Sequence, residues 1–262
     1  MVGSVKVALP HPQVKQAISW LRTVDIHMKS IALVSGANRG IGFEVCRQLG
    51  QAGFQVILTS RNRTLGEEAA GTLAKEGLQI IYHQLDVTKL DEIEETSKFV
   101  SQQFDRLDIL INNAGVNLDG EKDINEIDAA LIEDTLKVNF YGPLHLTRTF
   151  LPLMQKHNYG RIVNVSSSGG SLSTMATMAG KIPAYRISKA ALNAQTRLIA
   201  SAVKDYNIKV NAMCPGRVKT RMGGEDARRS PRESIDTILW LATLPASGPT
   251  GGFYKDRKKL PW

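Results

Sequence analysis

The sequence predicts an α/β fold, a single doubly wound domain on a mostly parallel sheet of roughly seven strands. Three observations carry that expectation. Short apolar runs, too brief for helices, alternate along the chain with longer segments of helical spacing, which is the pattern of βαβ units. The first run, Ile31–Val34, leads through a glycine-rich turn into a helical stretch, a layout that turns backbone N–H groups and a positive helix end toward an anion. Polar motifs then recur at the ends of the predicted strands, where this architecture binds its ligands.

Residues 1–29 precede the first strand as an N-terminal extension, and the domain is expected over 30–262. The extension lacks the continuous apolar core of a secretory signal. Val14, Ile18 and Leu21 share one helical face within it, and Met28 is a second candidate start. The turn after the first strand carries glycines at Gly36, Gly40 and Gly42. Their expected jobs are a tight turn, close approach of a pyrophosphate, and helix–strand contact, in that order. Strands are then read at 55–60, 79–85, 109–111, 161–165 and 209–213, with a short last one at 253–254. Helices are read at 65–75, 90–104, 127–155, 184–206 and 231–244. Within the longest, Pro143 lies four residues after Asn139 and has no N–H to offer its carbonyl. A kink is expected there, with that carbonyl left to hold a water.

Composition narrows the function classes. A chain of 262 residues with 42% hydrophobic content is an ordinary globular chain able to bury a core, and no apolar run approaches a membrane span. The net charge of +8 raises nucleic acid as a partner. The cations are scattered, however, except for Arg228-Arg229 and the group Lys255, Arg257, Lys258 and Lys259, and no nucleic-acid-binding motif accompanies them. Neither nucleic acid nor membrane is expected as a partner. Cys46 and Cys214, far apart, suggest neither a disulfide framework nor a metal site, which fits a reducing cytoplasm.

The residues that carry chemistry sit at strand ends. Asn112-Asn113-Ala114-Gly115 follows one strand, Ser166-Ser167-Ser168 another, and Cys214-Pro215-Gly216 a third. Tyr185 and Lys189, four apart, share one face of a helix. An unperturbed phenol has a pKa near 10, and a neighbouring ammonium is expected to pull it toward the range where proton transfer is efficient. A hydroxyl from the serine turn is placed to bond both Tyr185 and a substrate carbonyl. The second strand ends Arg61-Asn62 with no acid to take a ribose 2′-hydroxyl, and Arg39 stands in the glycine turn. Two arginines without an acid predict a preference for the 2′-phosphate of NADPH.

From Ile31 onward the ordered set Gly36, Gly40, Gly42, Asp86, Asn112 to Gly115, Asn139, Ser167, Tyr185, Lys189 and Pro215-Gly216 resembles the short-chain dehydrogenase/reductase superfamily. The resemblance is nearest to its carbonyl-reductase-like members and implies a Rossmann domain. It implies NADP(H) as cofactor, a small-molecule aldehyde or ketone as substrate, and Tyr185 as general acid. Ser167 would polarise the carbonyl, Lys189 would hold the nicotinamide ribose and tune Tyr185, and Asn139 would bind a relay water. Ser167 is preferred for the Ser-x-x-Gly turn it makes with Gly170, with Ser166 and Ser168 as alternatives.

Cofactor contacts are implied for Gly36, Asn38, Arg39, Gly40, Ile41, Gly42, Arg61, Asp86, Val87, Asn112, Ala114 and Gly115. Tyr185, Lys189, Pro215, Gly216, Val218 and Thr220 complete that set. Asp86 has an alternative reading as the cap of a turn before Thr88. Ser35 replaces the family's usual threonine and keeps the hydroxyl. The long insertion of monomeric animal carbonyl reductases is missing, so a homodimer or homotetramer is open. Two other functions fit the motifs: a 3-oxoacyl-carrier-protein reductase, and a non-catalytic NADP-binding sensor or interaction protein. Residues 169–183 are expected to line one wall of the site, and 221–233 to form a lid hinged at Gly223 and Gly224. Arg228, Arg229 and Arg232 read either as exposed lid charges or as attractors of an acidic substrate.

Overall fold

The computed structural model describes residues 30–120, 122–176 and 180–262. The extension, its helical face and Met28 lie outside the described residues. The strands are β1 (Ile31–Val34), β2 (Gln55–Ser60), β3 (Ile80–Gln84), β4 (Ile109–Asn112), β5 (Gly160–Val165), β6 (Ile208–Met213), β7 (Phe253–Lys255) and β8 (Lys258–Lys259). They form one sheet in the order β3-β2-β1-β4-β5-β6-β7-β8. Every pairing is parallel except the β7–β8 hairpin. From β1 at the middle of the sheet the chain winds outward to β3, then returns to lay β4 on the other side of β1. That reversal opens a crevice beyond the carboxyl ends of β1 and β4.

Helices cover both faces because each buried strand is apolar on both. In β1, Ala32 and Val34 pack on one side with Val45 and Leu49 of α1 (Gly40–Gln51). Ile31 and Leu33 pack on the other, with Leu146, Phe150 and Met154 of α5 (Gly142–Lys156). The remaining helices are α2 (Arg63–Lys75), α3 (Leu90–Phe104), α4 (Ala129–Leu136), a single turn α6 (Leu172–Met175), α7 (Pro183–Ala202), α8 (Pro231–Ser234) and α9 (Asp236–Ala242). Several boundaries depart from the sequence reading, among them the end of the helix expected at 184–206, which stops at Ala202. The helix expected at 231–244 is divided at Ile235 into α8 and α9. An eighth strand forms because Asp256 and Arg257 both take positive φ, turning the chain tightly enough for Lys258–Lys259 to pair with β7.

The expected kink takes a specific form. Between α4 and α5, residues Lys137–Tyr141 make a π-helical turn, and Gly142 N–H bonds back to Lys137 O. Pro143 explains half of this, since it has no N–H for the Asn139 carbonyl. The side chain of Gln195, on α7, explains the rest. Its amide, oriented by the partners it meets, donates to Phe140 O at 3.2 Å and accepts from Leu144 N–H at 3.1 Å. An α-helix would join those two backbone groups directly, so a side chain inserted between them holds the ladder open. Replacing Gln195, which is buried, by leucine leaves two backbone groups unpaired or forces the helix to close. The expected loss is about 1–3 kcal/mol of stability, read as a lower urea midpoint; an unchanged midpoint would show that the amide does not hold the turn open.

Candidate active site

The glycine turn is locked by hydroxyl and amide groups from the β4 end. Ser35 Oγ accepts from Asn113 N–H at 3.0 Å and Ala114 N–H at 3.1 Å, and donates to Ile111 O at 3.3 Å. This is the hydroxyl that the Ser-for-Thr departure retains. Asn113 Nδ2 donates back to Ser35 O and Gly36 O at 2.9 and 3.0 Å. Gly36 has φ +63°, and a Cβ there would stand 2.8 Å from Ala114 Cα. A Cβ on Gly42 would stand 2.8 Å from Ala37 Cα, so its close contact is with the turn after β1 and is not the strand contact expected from the sequence. The following helix α1 starts with no side-chain cap and no acid in its first turn, which leaves its N–H groups for an external anion. Asn38 and Ile41 are half-buried in this turn, and Arg39 beside them is exposed, as is Arg61 past β2. Neither guanidinium has a hydrogen-bond or ion-pair partner among the described residues.

Around the crevice the other expected contacts fall into two groups. Thr220 reaches toward Gly40, where a Cβ would meet its methyl at 3.2 Å. Val218 is buried and bridges to Arg229, and Val87 packs against Gly142. Asp86 Oδ1 accepts from Thr88 N–H and Oγ1 at 3.0 and 2.8 Å, the turn-capping geometry. The Asn112 side chain points into the interior, donating to Asn164 Oδ1 at 2.8 Å and Thr147 Oγ1 at 3.3 Å. Asp108, read as structural, accepts from Ile31 N–H at 2.7 Å.

The four candidate catalytic side chains converge. Ser167 stands close enough to Tyr185 for its hydroxyl to favour the phenolate. Ser167 Oγ also accepts from Gly169 N–H at 3.1 Å, fixing the turn. Ser166 is engaged elsewhere, on Asn193 Oδ1 at 2.6 Å, and Ser168 donates its N–H to Cys214 Sγ at 3.2 Å. Lys189 is buried and donates to Val165 O at 2.9 Å, with Nζ 5.6 Å from the Tyr185 ring centre. A Cβ on Gly115 would touch Asn139 Oδ1 at 3.3 Å and Lys189 Nζ at 3.5 Å, so these groups frame one small space. Asn139, fully buried, accepts from Val116 N–H and donates to Val116 O, both at 2.8 Å, and donates to Ser188 Oγ at 2.9 Å. Both N–H groups of its amide are thus taken by protein, while Pro143 offers its backbone carbonyl no helical N–H. The turn Cys214-Pro215-Gly216 closes the group, with Gly216 N–H donating to Cys214 Sγ at 3.4 Å.

Burial governs the proton affinities. It pushes the Tyr185 phenol up to about 12, against the opposing hydrogen bond from Ser167. It brings the Lys189 ammonium down to about 8. The lowering of Tyr185 by Lys189, expected from their spacing, does not arise: Ser167 is what opposes burial, and loss of water around the phenol prevails. At neutral pH the phenol carries its proton and the ammonium is mostly charged.

Residues 30–230 match the family model described as short chain dehydrogenase. The chain belongs to that family. A relative, (+)-neomenthol dehydrogenase of Arabidopsis thaliana, is 35% identical over 87% of this chain and 96% of its own. Carbonyl reductase [NADPH] 1 of Rattus norvegicus is 32% identical over 89% of this chain and 99% of its own. Among solved structures, NADPH-bound carbonyl reductase from chicken fatty liver superposes with a TM-score of 0.80 at 29% identity, covering 90% of this chain and 99% of that one. The similarity to the first relative spans 287 positions, more than the 262 residues of this chain, so that relative carries segments this member of the family lacks.

Sequence reading missed two groups that hold the site together. Helix α7 begins Pro183-Ala184-Tyr185 after Ile182, whose φ is +54° and whose side chain cannot cap. The carboxylate of Asp119 caps it instead, accepting from Ala184 N–H and Tyr185 N–H, both at 2.8 Å. A buried anion at a helix start is favoured by the dipole, and here it anchors Tyr185 itself. The cap lies 65 residues before its helix, so no local motif announces it. The second is the Gln195 amide at the π turn.

With the ammonium near 8, each pH unit above that removes about ten-fold of its charged form. NADPH affinity, followed by fluorescence titration, is expected to weaken from pH 8 to 10. The folded protein holds fewer protons on Lys189 than the unfolded chain between about 8 and the ordinary 10.5. The stability advantage of Lys189→Met over the unmodified protein should therefore shrink across that window. Affinity that stays level to pH 10 would remove Lys189 from the cofactor site.

Proposed function

We propose that this protein is an NADPH-dependent oxidoreductase that reduces an aldehyde or ketone to an alcohol. The observation that carries the reading is the convergence of half-buried Ser167 and Tyr185, close enough for the serine hydroxyl to act on the phenol, with buried Lys189 and Asn139 at the crevice end of the sheet. The cofactor fits what surrounds that pair. The uncapped start of α1 takes the pyrophosphate, Arg39 and Arg61 take the 2′-phosphate, and Lys189 takes the nicotinamide ribose. Thr220 and the Pro215-Gly216 turn would hold the nicotinamide. Bound NADPH supplies a hydride to the carbonyl carbon.

The chain's own residues handle the oxygen. Ser167 donates a hydrogen bond to it, and Tyr185 gives it a proton as charge builds. Burial that keeps the phenol protonated suits it as an acid. The Lys189 ammonium stabilises the phenolate left behind, and the Asn139 carbonyl holds a water through which the proton is restored. Both cysteines are free and buried, in keeping with a reducing cytoplasm. No helix among the described residues is long and apolar enough to cross a membrane. Leu198, 72% exposed on α7, supports pairing of copies through that helix.

A panel of aldehydes and ketones with NADPH tests the reading directly. Tyr185→Phe keeps the ring and removes the proton, so kcat should fall by roughly 10²–10⁴-fold, with NADPH binding retained. Near-normal turnover in that variant would remove Tyr185 from the acid role. Arg61→Ala should weaken NADPH by roughly ten-fold or more and leave NADH kinetics nearly level, since NADH has no 2′-phosphate to lose. Equal catalytic efficiency with the two cofactors in the unmodified protein would overturn the cofactor preference.

A further inference from the structure

A cavity of about 330 Å³ is bounded by Gly216, Arg217, Asp226, Ala227, Arg228, Arg229 and Lys255. Four of its seven lining residues are cationic and one is acidic. That acid is already taken, since Asp226 Oδ1 accepts from Arg217 Nη2 at 2.8 Å. Arg217 Nε in turn donates to Gly223 O at 3.0 Å. Arg229 is paired outward with Asp256 at 2.7 Å. Arg228 and Lys255 have no hydrogen-bond or ion-pair partner among the described residues. Like charges gathered in a concavity repel one another and focus a positive potential there, a cost that an entering anion relieves.

Two features join the cavity to the reacting centre. Gly216, in its wall, donates its N–H to Cys214 Sγ, and the same sulfur accepts from Ser168 N–H beside Ser167. The cavity and the serine turn therefore share one sulfur atom. Gly216 also has φ +75°, and a Cβ there would stand 3.7 Å from both Arg229 Cδ and Lys255 Cε, so its bare backbone opens the space between turn and cations. The 2′-phosphate of the cofactor is not the anion in question. Arg39 and Arg61 lie at the β1 and β2 ends, while the cavity lies at the β6 and β7 ends. From β2 to β6 is four strand spacings, roughly 19 Å.

We propose that this cavity is an anion subsite of the substrate pocket, selecting carbonyl compounds that carry a carboxylate or phosphate group away from the reacting carbon. Arg228 and Lys255 supply the free charges, and Arg217 and Arg229, held by their own carboxylates, shape the walls. The proposal rests on the carbonyl-reductase reading given above.

A matched pair of probes tests it: 4-carboxybenzaldehyde, an anion, and methyl 4-formylbenzoate, its neutral ester. With NADPH at low salt, the ratio of kcat/KM for acid over ester should be roughly ten-fold or more. It should fall toward one in Arg228→Gln/Lys255→Met, through KM for the acid, and also in about 0.5 M salt. A ratio near one in the unmodified protein, or one that survives both substitutions, overturns the subsite. A rise in KM for NADPH with the ratio unchanged assigns the cations to the cofactor's pyrophosphate and overturns it equally. If neither aldehyde turns over, the carbonyl reading fails, and calorimetric titration of the NADP⁺-loaded protein with benzoate decides the subsite separately. Binding lost in the double variant supports it, and binding absent from the unmodified protein or unchanged in the variant removes it.

Discussion

The buried amide of Asn139 is the interaction on which the rest of the site depends. It ties both backbone groups of Val116 and the hydroxyl of Ser188 to the π turn. Ser188 Oγ itself donates to Tyr185 O at 2.7 Å. Three residues beyond Val116 the same loop delivers Asp119, whose carboxylate caps the helix that carries Tyr185. A loop of four residues is thus fixed at one end by Asn139 and at the other by the catalytic helix, which Asn139 also touches. Such a closed circuit of buried hydrogen bonds is worth more than its members taken singly, because loosening one exposes the others to misalignment. The π turn is what brings Asn139 into the circuit, since a regular helix would rotate every following residue differently. Strain and polar satisfaction are thereby exchanged between elements distant in sequence: Gln195 restores on α7 what the helix before α5 gives up.

Electrostatics follow from the same burial. Loss of water favours the neutral form of both titrating groups, raising the phenol and lowering the ammonium. For the roles proposed above the two effects pull in opposite directions, because an acid benefits from a held proton while an amine that holds a cofactor hydroxyl needs its charge. The compromise works at neutral pH, where Tyr185 is fully protonated and Lys189 is still mostly cationic. The exposed cations Arg39 and Arg61 lie past the β1 and β2 ends of the sheet, and half-buried Lys255 lies at the β7 end.

The sheet and the residues at strand ends were legible because they obey local rules. Apolar runs of four to six residues, a glycine turn with fixed spacing, and a tyrosine and lysine one helical turn apart are all readable within a dozen positions. The kink at Asn139 was half legible, through Pro143. Its π form was not, because it depends on an amide more than fifty residues away. The Asp119 cap was hidden for the same reason, and the residue before Pro183 offers a misleading apolar cap position in its place. The phenol's affinity for its proton was misjudged since spacing shows which charge is near but not how much water has been removed. Strand β8 was missed because two lysines carry no strand signal, and only the turn at Asp256 and Arg257 makes them pair.

The segment 221–233 and the turn at Leu172–Met175, both expected to face the substrate, are held more firmly than their composition suggested. Gly223, expected as a hinge, is packed so that a Cβ would fall 2.0 Å from Val218 O, so it is a contact point between two stretches of the loop. Opposite it, Ser173 donates through N–H and Oγ to Trp262 O at 2.8 and 2.6 Å, and Ser171 Oγ donates to Pro261 O at 3.0 Å. Trp262 stacks on Phe253 of β7, whose ring is fully buried. The single helical turn at Leu172–Met175 is therefore fastened to the same β7–β8 hairpin that presents Lys255. With these contacts pinned, the charges of the subsite proposed above are held in place. A cation on a pinned strand keeps its distance from the reacting oxygen as substrates exchange. That constancy lets a remote charge favour one orientation of a small carbonyl compound over another.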